Sequence, residues 1–221
     1  MENPFAGLAG GYNSSGETLR QVVRRELVDR GLAEHLPDPP ARIVDVGGGA
    51  GQQAMPLLRK GHEVTILDPS PKMLAEARQR LALEDGGVRR RVRLVEGTGE
   101  QAHEVLEGET FDAVLCHGVL MYLEDPRPMI HALSVLANPG GVASILTKNA
   151  AALSLRPALE GRYGDALSSL GADRDRGRLG VVTRGDTVEG LSDAFADAGL
   201  AVEWWYGVRV FTDHLGDKMP G

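Results

Sequence analysis

Apolar residues come in short runs along this chain, separated by stretches with helical spacing. Ile43, Val44 and Val46 form a β-branched run that predicts a buried strand. Glycines stop it, Gln52–Lys60 then has the pattern of a helix that Gly61 ends, and His62–Asp68 predicts a second strand closed by a carboxylate. Ser70 and Pro71 mark the cap and first turn of a helix over Lys72–Leu83. Val92–Gly97 and Phe111–His117 read as the third and fourth strands, with a helix over Glu100–Leu106 between them. Asp125–Ala137 is a helix with Pro126 in its first turn; Asn138-Pro139-Gly140-Gly141 turns into a fifth strand, Val142–Thr147. Ahead of the first strand, Glu17–Glu34 has helical spacing after a possible Ser14-Ser15-Gly16 cap, and Met1–Ser15 is expected to be mobile or to fold over a ligand. Behind the fifth strand, Asn149–Leu170 reads as largely helical, Asp186–Ala198 as a last helix and Val202–Phe211 as a final strand. Strands alternating with helices predict an α/β fold: a Rossmann-like, doubly wound, mostly parallel sheet covered on both faces.

Composition narrows the class. The 221 residues suit one domain, with 1–40 as an N-terminal cap segment, 41–147 as a cofactor-binding core and 148–221 as a substrate-side segment with the last strand. An apolar content of 42% and a charged content of 25% are ordinary for a globular chain. A net charge of −7 gives no general attraction to nucleic acid or membrane, so any such contact must be local. Cys116 is the single cysteine, which excludes an internal disulfide and fits a reducing cytoplasm, and no membrane-length apolar run or signal pattern is present. No pattern of metal ligands stands out.

The strand, glycine turn, helix and acid-terminated strand around Ala41–Asp68 form a nucleotide-binding βαβ unit. Gly47, Gly48, Gly49 and Gly51 let the backbone approach a ligand, and Gly49–Ala54 even satisfies the degenerate fingerprint of dinucleotide-binding proteins. Asp45 favours a different ligand. A carboxylate two residues before the first glycine repels a pyrophosphate and suits the sulfonium and ammonium of S-adenosylmethionine. Asp68 can accept both ribose hydroxyls.

D-V-G-G-G-A-G, I-L-D and N-P-G-G together resemble the class I S-adenosylmethionine-dependent methyltransferases over about 42–147. A closer resemblance runs from about Leu19 to Leu215. L-R-Q, G-H-E-V, C-H-G-V-L, E-D-P-R and G-V-R-V-F-T-D-H-L look like the bacterial family that esterifies 5-carboxymethoxyuridine at the tRNA wobble position. That resemblance implies cofactor contacts at Arg20, Gly47, Gly48, Asp68, Gly99, Glu100 and His117. The chain departs from the family in carrying Met121-Tyr122 where the family has Glu-Trp, an arginine scatter in place of a lysine run, and no final strand. The departures bear on the acceptor more than on the cofactor.

Methyl transfer needs alignment and exclusion of water. A carboxylate acceptor needs no general base, and no obvious acid–base pair is present. His117, at the carboxyl end of the fourth strand, and Tyr122 just beyond it are the catalytic candidates; a structural histidine is the alternative for His117. Cys116 faces the other way as a core thiol. The run Arg89-Arg90-Arg91-Arg93 enters the third strand at its amino end, away from the ligand edge, and reads as solvated. The scatter Arg174, Arg176, Arg178 and Arg184 leaves the carboxyl end of the fifth strand on the ligand side and could hold phosphates, a solvated loop being the alternative, with Tyr163 among the aromatics able to stack on a base. A tRNA acceptor, a small-molecule acceptor of secondary metabolism and a silent cofactor-binding scaffold stay open. With Val202–Phe211 as sixth strand and a short polar tail after it, the last strand is missing. The expectation is a truncated chain, or an apolar edge covered by a loop or by a second copy, hence a monomer or homodimer.

Overall fold

The computed structural model describes residues 19–176, 180–210 and 212–215. The expectations for Met1–Ser15 and its following cap, for Arg178 and for Phe211 lie outside the described residues. In chain order the elements are α1 (Leu19–His35), β1 (Arg42–Val46), α2 (Ala54–Lys60), β2 (Glu63–Asp68), α3 (Pro71–Leu81), α4 (Gly86–Arg90) and β3 (Val92–Glu96). They continue with α5 (Ala102–Val105), β4 (Phe111–His117), α6 (Arg127–Leu136), β5 (Ala137–Leu146), α7 (Leu155–Leu159) and α8 (Tyr163–Ser168). A small pair, β6 (Arg174–Arg176) and β7 (Val182–Arg184), precedes α9 (Val188–Asp197).

Five strands form one sheet in the order β3-β2-β1-β4-β5, with every pairing parallel. The order reverses beside β1, so a crevice opens between the carboxyl ends of β1 and β4, the usual ligand position of such a sheet. Period-two alternation divides the strands between two cores. Ile43, Ile66, Ala113 and Leu115 face α2 and α3, with Leu32 of α1 joining them. Val44, Leu67, Val114 and Cys116 face α5 and α6, against which Leu191 and Phe195 of α9 also pack. Ser70 caps α3 by accepting from the Met73 amide at 3.3 Å, with Pro71 at the first helical position as its fixed φ favours.

Three expectations change. The Asn138–Gly141 turn lies inside β5: Phe111 pairs Ala137 and Ala113 pairs Val142, so the four residues loop out opposite Asp112, with Gly140 at φ 77°. The stretch expected to be one long helical region after β5 breaks into a 3₁₀ turn at Ala150–Ala152 and the short α7 and α8. The expected sixth strand is not a strand. Residues 201–206 are irregular, and no described backbone group hydrogen-bonds to them. Instead Trp204 stacks on His35 of α1 at 4.1 Å and the Tyr206 hydroxyl lies 2.6 Å from His35 Nε2.

Candidate active site

β1 ends in a loop whose backbone only glycine adopts cheaply: Gly47, Gly49 and Gly51 have φ of 71°, 55° and 77°. Space forbids side chains there as well. A Cβ at Gly47 would strike Val119 Cγ2, and one at Gly48 would lie 2.7 Å from Asp45 Oδ2. The loop is thus a bare-backbone cradle at the end of β1, closely backed by Val119 and Asp45. Asp68, at the end of β2, braces it. Its Oδ2 accepts from the Gly49 amide at 2.9 Å and its Oδ1 from the Ser70 amide at 2.8 Å. Each oxygen keeps a further lone pair, the arrangement that receives two vicinal hydroxyls. Burial raises the Asp68 pKa, and the two backbone hydrogen bonds oppose that rise.

Asp45 is 2% exposed, and its Oδ2 has no hydrogen-bond partner among the described residues. Burial, and after it the Asp68 charge, push its pKa up to about 7. A buried, orphaned carboxylate oxygen under a glycine cradle wants a cation, and S-adenosylmethionine supplies two positive centres. The residues present therefore fit that cofactor and fit a pyrophosphate poorly.

His117 closes the crevice from β4. Its Nε2 lies 3.0 Å from Ser144 Oγ of β5, while Nδ1 is buried with no partner among the described residues. Burial and then the nearby Arg24 charge lower its pKa to about 4, against a hydrogen bond to Ser144, so the ring is neutral near pH 7. Cys116 is fully buried on the opposite face, and burial pushes its thiol up, as an inert core residue.

The other sequence candidates spread out. Gly99 is buried because a Cβ there would press on Met129 Sδ and, at 2.8 Å, on Val46 Cγ1, so packing against α6 already demands a glycine; Glu100 is exposed. Arg20 is buried in α1 and donates to the carbonyls of Asp213 and Leu215, the latter at 3.1 Å, which ties the end of the described chain to α1. Tyr122 sits half-buried in a 3₁₀ turn just past β4. Tyr163 is 69% exposed at the start of α8. Arg174 is exposed, and Arg176 is engaged by the Gly180 carbonyl at 2.9 Å.

The arginine run ahead of β3 is not wholly solvated. Arg91 donates to the Leu58 carbonyl at 2.8 Å and Arg93 pairs with Glu109 at 2.6 Å, although the run does lie at the amino edge of the sheet as expected. A cavity of about 280 Å³ opens there, and a second, of about 360 Å³, lies between β7 and the starts of α6 and α9. Arg184, the last arginine of the expected ligand-side scatter, lines this second cavity with Asp186; sequence reasoning passed over Asp186 and Thr147, which hydrogen-bonds to it. Among the described residues, no group of three or more His, Cys, Asp or Glu could hold a metal, and no helix is long and apolar enough to cross a membrane.

The fold and this crevice define a class. The chain belongs to the class I S-adenosylmethionine-dependent methyltransferases, and a methyltransferase-domain profile matches residues 44–143. In particular, it is 31% identical to the tRNA 5-carboxymethoxyuridine methyltransferase of Escherichia coli O157:H7 over 207 residues, 94% of this chain and 77% of that one. The ubiquinone biosynthesis O-methyltransferase of Methylocella silvestris is 34% identical over 136 residues, covering 59% of this chain and 50% of its own. Among solved structures, an S-adenosylmethionine-dependent methyltransferase from Mesorhizobium loti superposes with a TM-score of 0.60 at 27% identity, over 79% of this chain and 81% of its own. The glycopeptide N-methyltransferase MtfA complexed with S-adenosylmethionine gives a TM-score of 0.50 at 27% identity, over 56% of this chain and 54% of its own. The enzyme uses S-adenosylmethionine.

Proposed function

We propose that this chain transfers the methyl group of S-adenosylmethionine to the carboxylate of a modified wobble uridine in tRNA. The observation that carries the reading is the likeness to the tRNA enzyme, which extends past the cofactor-binding core to nearly the whole chain. Bound S-adenosylmethionine supplies an electrophilic methyl carbon activated by its own sulfonium charge. Asp45 and the Gly47–Gly51 cradle face its cationic centres, Asp68 receives its ribose hydroxyls, and Gly99 and Glu100 flank the adenine edge. Arg20 and His117 border the methionine end in this reading, and Tyr122 the acceptor. A carboxylate attacks without losing a proton, which suits a crevice whose histidine is held neutral and whose cysteine is buried away. Tyr163, Arg174, Arg176 and Arg178 are the proposed tRNA contacts.

The test is mass spectrometry of tRNA nucleosides from cells lacking this protein. Loss of the methyl ester with accumulation of the free acid is the expected result, and an unchanged nucleoside profile rejects the reading. A small-molecule acceptor is the second reading, favoured by the match to the ubiquinone enzyme. That match covers 59% of this chain, against 94% for the tRNA enzyme, so it carries less weight on the acceptor.

A further inference from the structure

Arg184 is the arginine of the β6–β7 hairpin that the fold turns inward. Its side chain is 13% exposed, whereas Arg174 is open to solvent and Arg176 caps its own hairpin. Nη2 pairs with Asp186 Oδ1 at 2.8 Å and makes a long contact of 3.4 Å to the Leu120 carbonyl. Asp186 is itself anchored: Oδ2 accepts from Thr147 Oγ1 at 2.8 Å, and its amide donates to the Lys148 carbonyl at 2.7 Å. Lys148 fastens the hairpin further through Asp175 at 2.6 Å and Thr183 at 3.0 Å. The guanidinium is therefore held rigid beside the end of β5.

Two of its three nitrogens are unused. Nε is buried without a partner, and Nη1 forms no hydrogen bond, among the described residues. A chain of contacts leads from it to the cofactor cradle, because Leu120 follows Val119, whose side chain abuts the Cα of Gly47. The guanidinium also borders the second cavity, about 360 Å³, large enough for a planar ring with a short substituent. Of the acids there, Asp125 is already clasped by Arg127 at 2.8 Å, and Asp173 is exposed, where water and salt weaken its charge.

We infer that Arg184 is a specificity-determining residue that holds the carboxylate of the methyl acceptor through its free Nη1 and the Nη2 N–H that now makes only the long contact to Leu120. This rests on the carboxylate reading above. The outward N–H bonds of Nη1 and Nη2 run parallel, the fork that matches the two oxygens of one carboxylate, whereas the buried Nε takes no part. In the reaction one carboxylate oxygen forms a bond to the methyl carbon as the carbon–sulfur bond breaks, and the electron pair stays on sulfur in S-adenosylhomocysteine. No proton moves. The acceptor loses its negative charge in that step, so Arg184 holds substrate more strongly than product ester and favours release. Asp186 balances the guanidinium when no acceptor is present.

Phenoxyacetate, an aryloxyacetate of the same chemical class, and its methyl ester can each be titrated into the protein saturated with S-adenosylhomocysteine. Calorimetry should show the acid bound by the wild type, the ester at least tenfold weaker, and the acid at least tenfold weaker on Arg184→Gln. Arg184→Lys keeps the pair with Asp186 but loses the fork, and should also weaken the acid at least tenfold. Affinity for S-adenosylhomocysteine should stay within twofold in both variants; if the Gln variant loses it, the Lys variant alone decides. Equal binding of the acid to wild type and the deciding variant, or no binding to wild type, overturns the inference. Phenoxyacetate binding that depends on Arg184, together with unchanged tRNA nucleosides in the deletion strain, leaves the inference standing and removes the tRNA acceptor.

Discussion

A carboxyl group buried with one oxygen unpartnered is costly to ionise, and Asp45 is that group here. With its pKa raised from 3.8 to about 7, the folded chain keeps a proton that the unfolded chain gives up across that interval. The stability it contributes is complete below the unfolded value and is lost as pH rises through the folded one. Asp45→Asn removes the loss. Without cofactor, the melting temperature of the variant should therefore exceed that of the wild type by a gap that widens as pH rises from about 4 to about 7 and then levels off. A gap that does not change with pH would show that Asp45 keeps an ordinary carboxylate. At the far side of the cradle, Asp68→Ala should weaken S-adenosylmethionine binding by about 1–3 kcal/mol, the cost of leaving polar groups unpaired. Calorimetry reads this directly, and the same titration with NAD should give no heat. The glycine turn and both acids were legible from residue type and spacing alone. That Val119 would crowd Gly47, and that Met129 rather than a ligand forces the glycine at 99, was not, since each contact joins elements distant in sequence.

At the scale of the elements, local signals read well and neighbours decided the rest. Ser70 and Pro71 announce α3, and Ser70→Ala should cost about 1 kcal/mol of stability, measured by denaturant unfolding. The arginine run at 89–93 shows the limit of such reading. Its position at the amino edge follows from topology, but Arg91 is drawn inward by the Leu58 carbonyl at the end of α2, which no pattern in the run itself announces. Reversing Arg89 and Arg90 to Glu should leave activity unchanged, while reversing Arg91 should lower stability. On the ligand side, reversing Arg174, Arg176 and Arg178 to Glu should abolish tRNA methylation and leave cofactor affinity unaltered. Full activity in that triple variant would mean that the hairpin surface is only solvated.

Across the whole molecule, a net charge of −7 means that tRNA must be gripped locally against general repulsion. Binding through a few arginines should weaken steeply between about 50 and 200 mM salt, as phosphate contacts do, while cofactor binding hardly changes. Filter binding at graded salt separates this from a small-molecule acceptor, for which no such slope is expected. The apolar segment 202–206 raises a separate matter. Trp204 and Trp205 are 58% and 67% exposed, and β5 pairs only with β4 among the described strands. Uncovered apolar surface and a free sheet edge favour association. Light scattering should show concentration-dependent self-association that a Trp204→Ser, Trp205→Ser double variant reduces; a concentration-independent monomer would show that neither surface drives it.

The alternation of apolar runs determined the parallel sheet, both helical layers and the cofactor crevice, because each of those elements carries its own periodicity, caps and glycine turn. The run from Val202 to Phe211 carries a strand pattern too, yet its described part forms no strand. A strand exists only where a neighbour takes its backbone hydrogen bonds, and no described segment does so. The segment instead lies beside α1, where Trp204 and Tyr206, two residues apart, both meet His35. Arg184 makes the same point in the site. As a residue type it is one of several arginines in a polar stretch. Only the docking of β7 beside Leu120, and the anchoring of Asp186 by Thr147, turn it inward and leave two of its nitrogens free. Periodicity and turn chemistry are properties of neighbouring residues and survive in the sequence. Which buried donor is left without a partner depends on groups brought together by folding, and only the tertiary structure decides it.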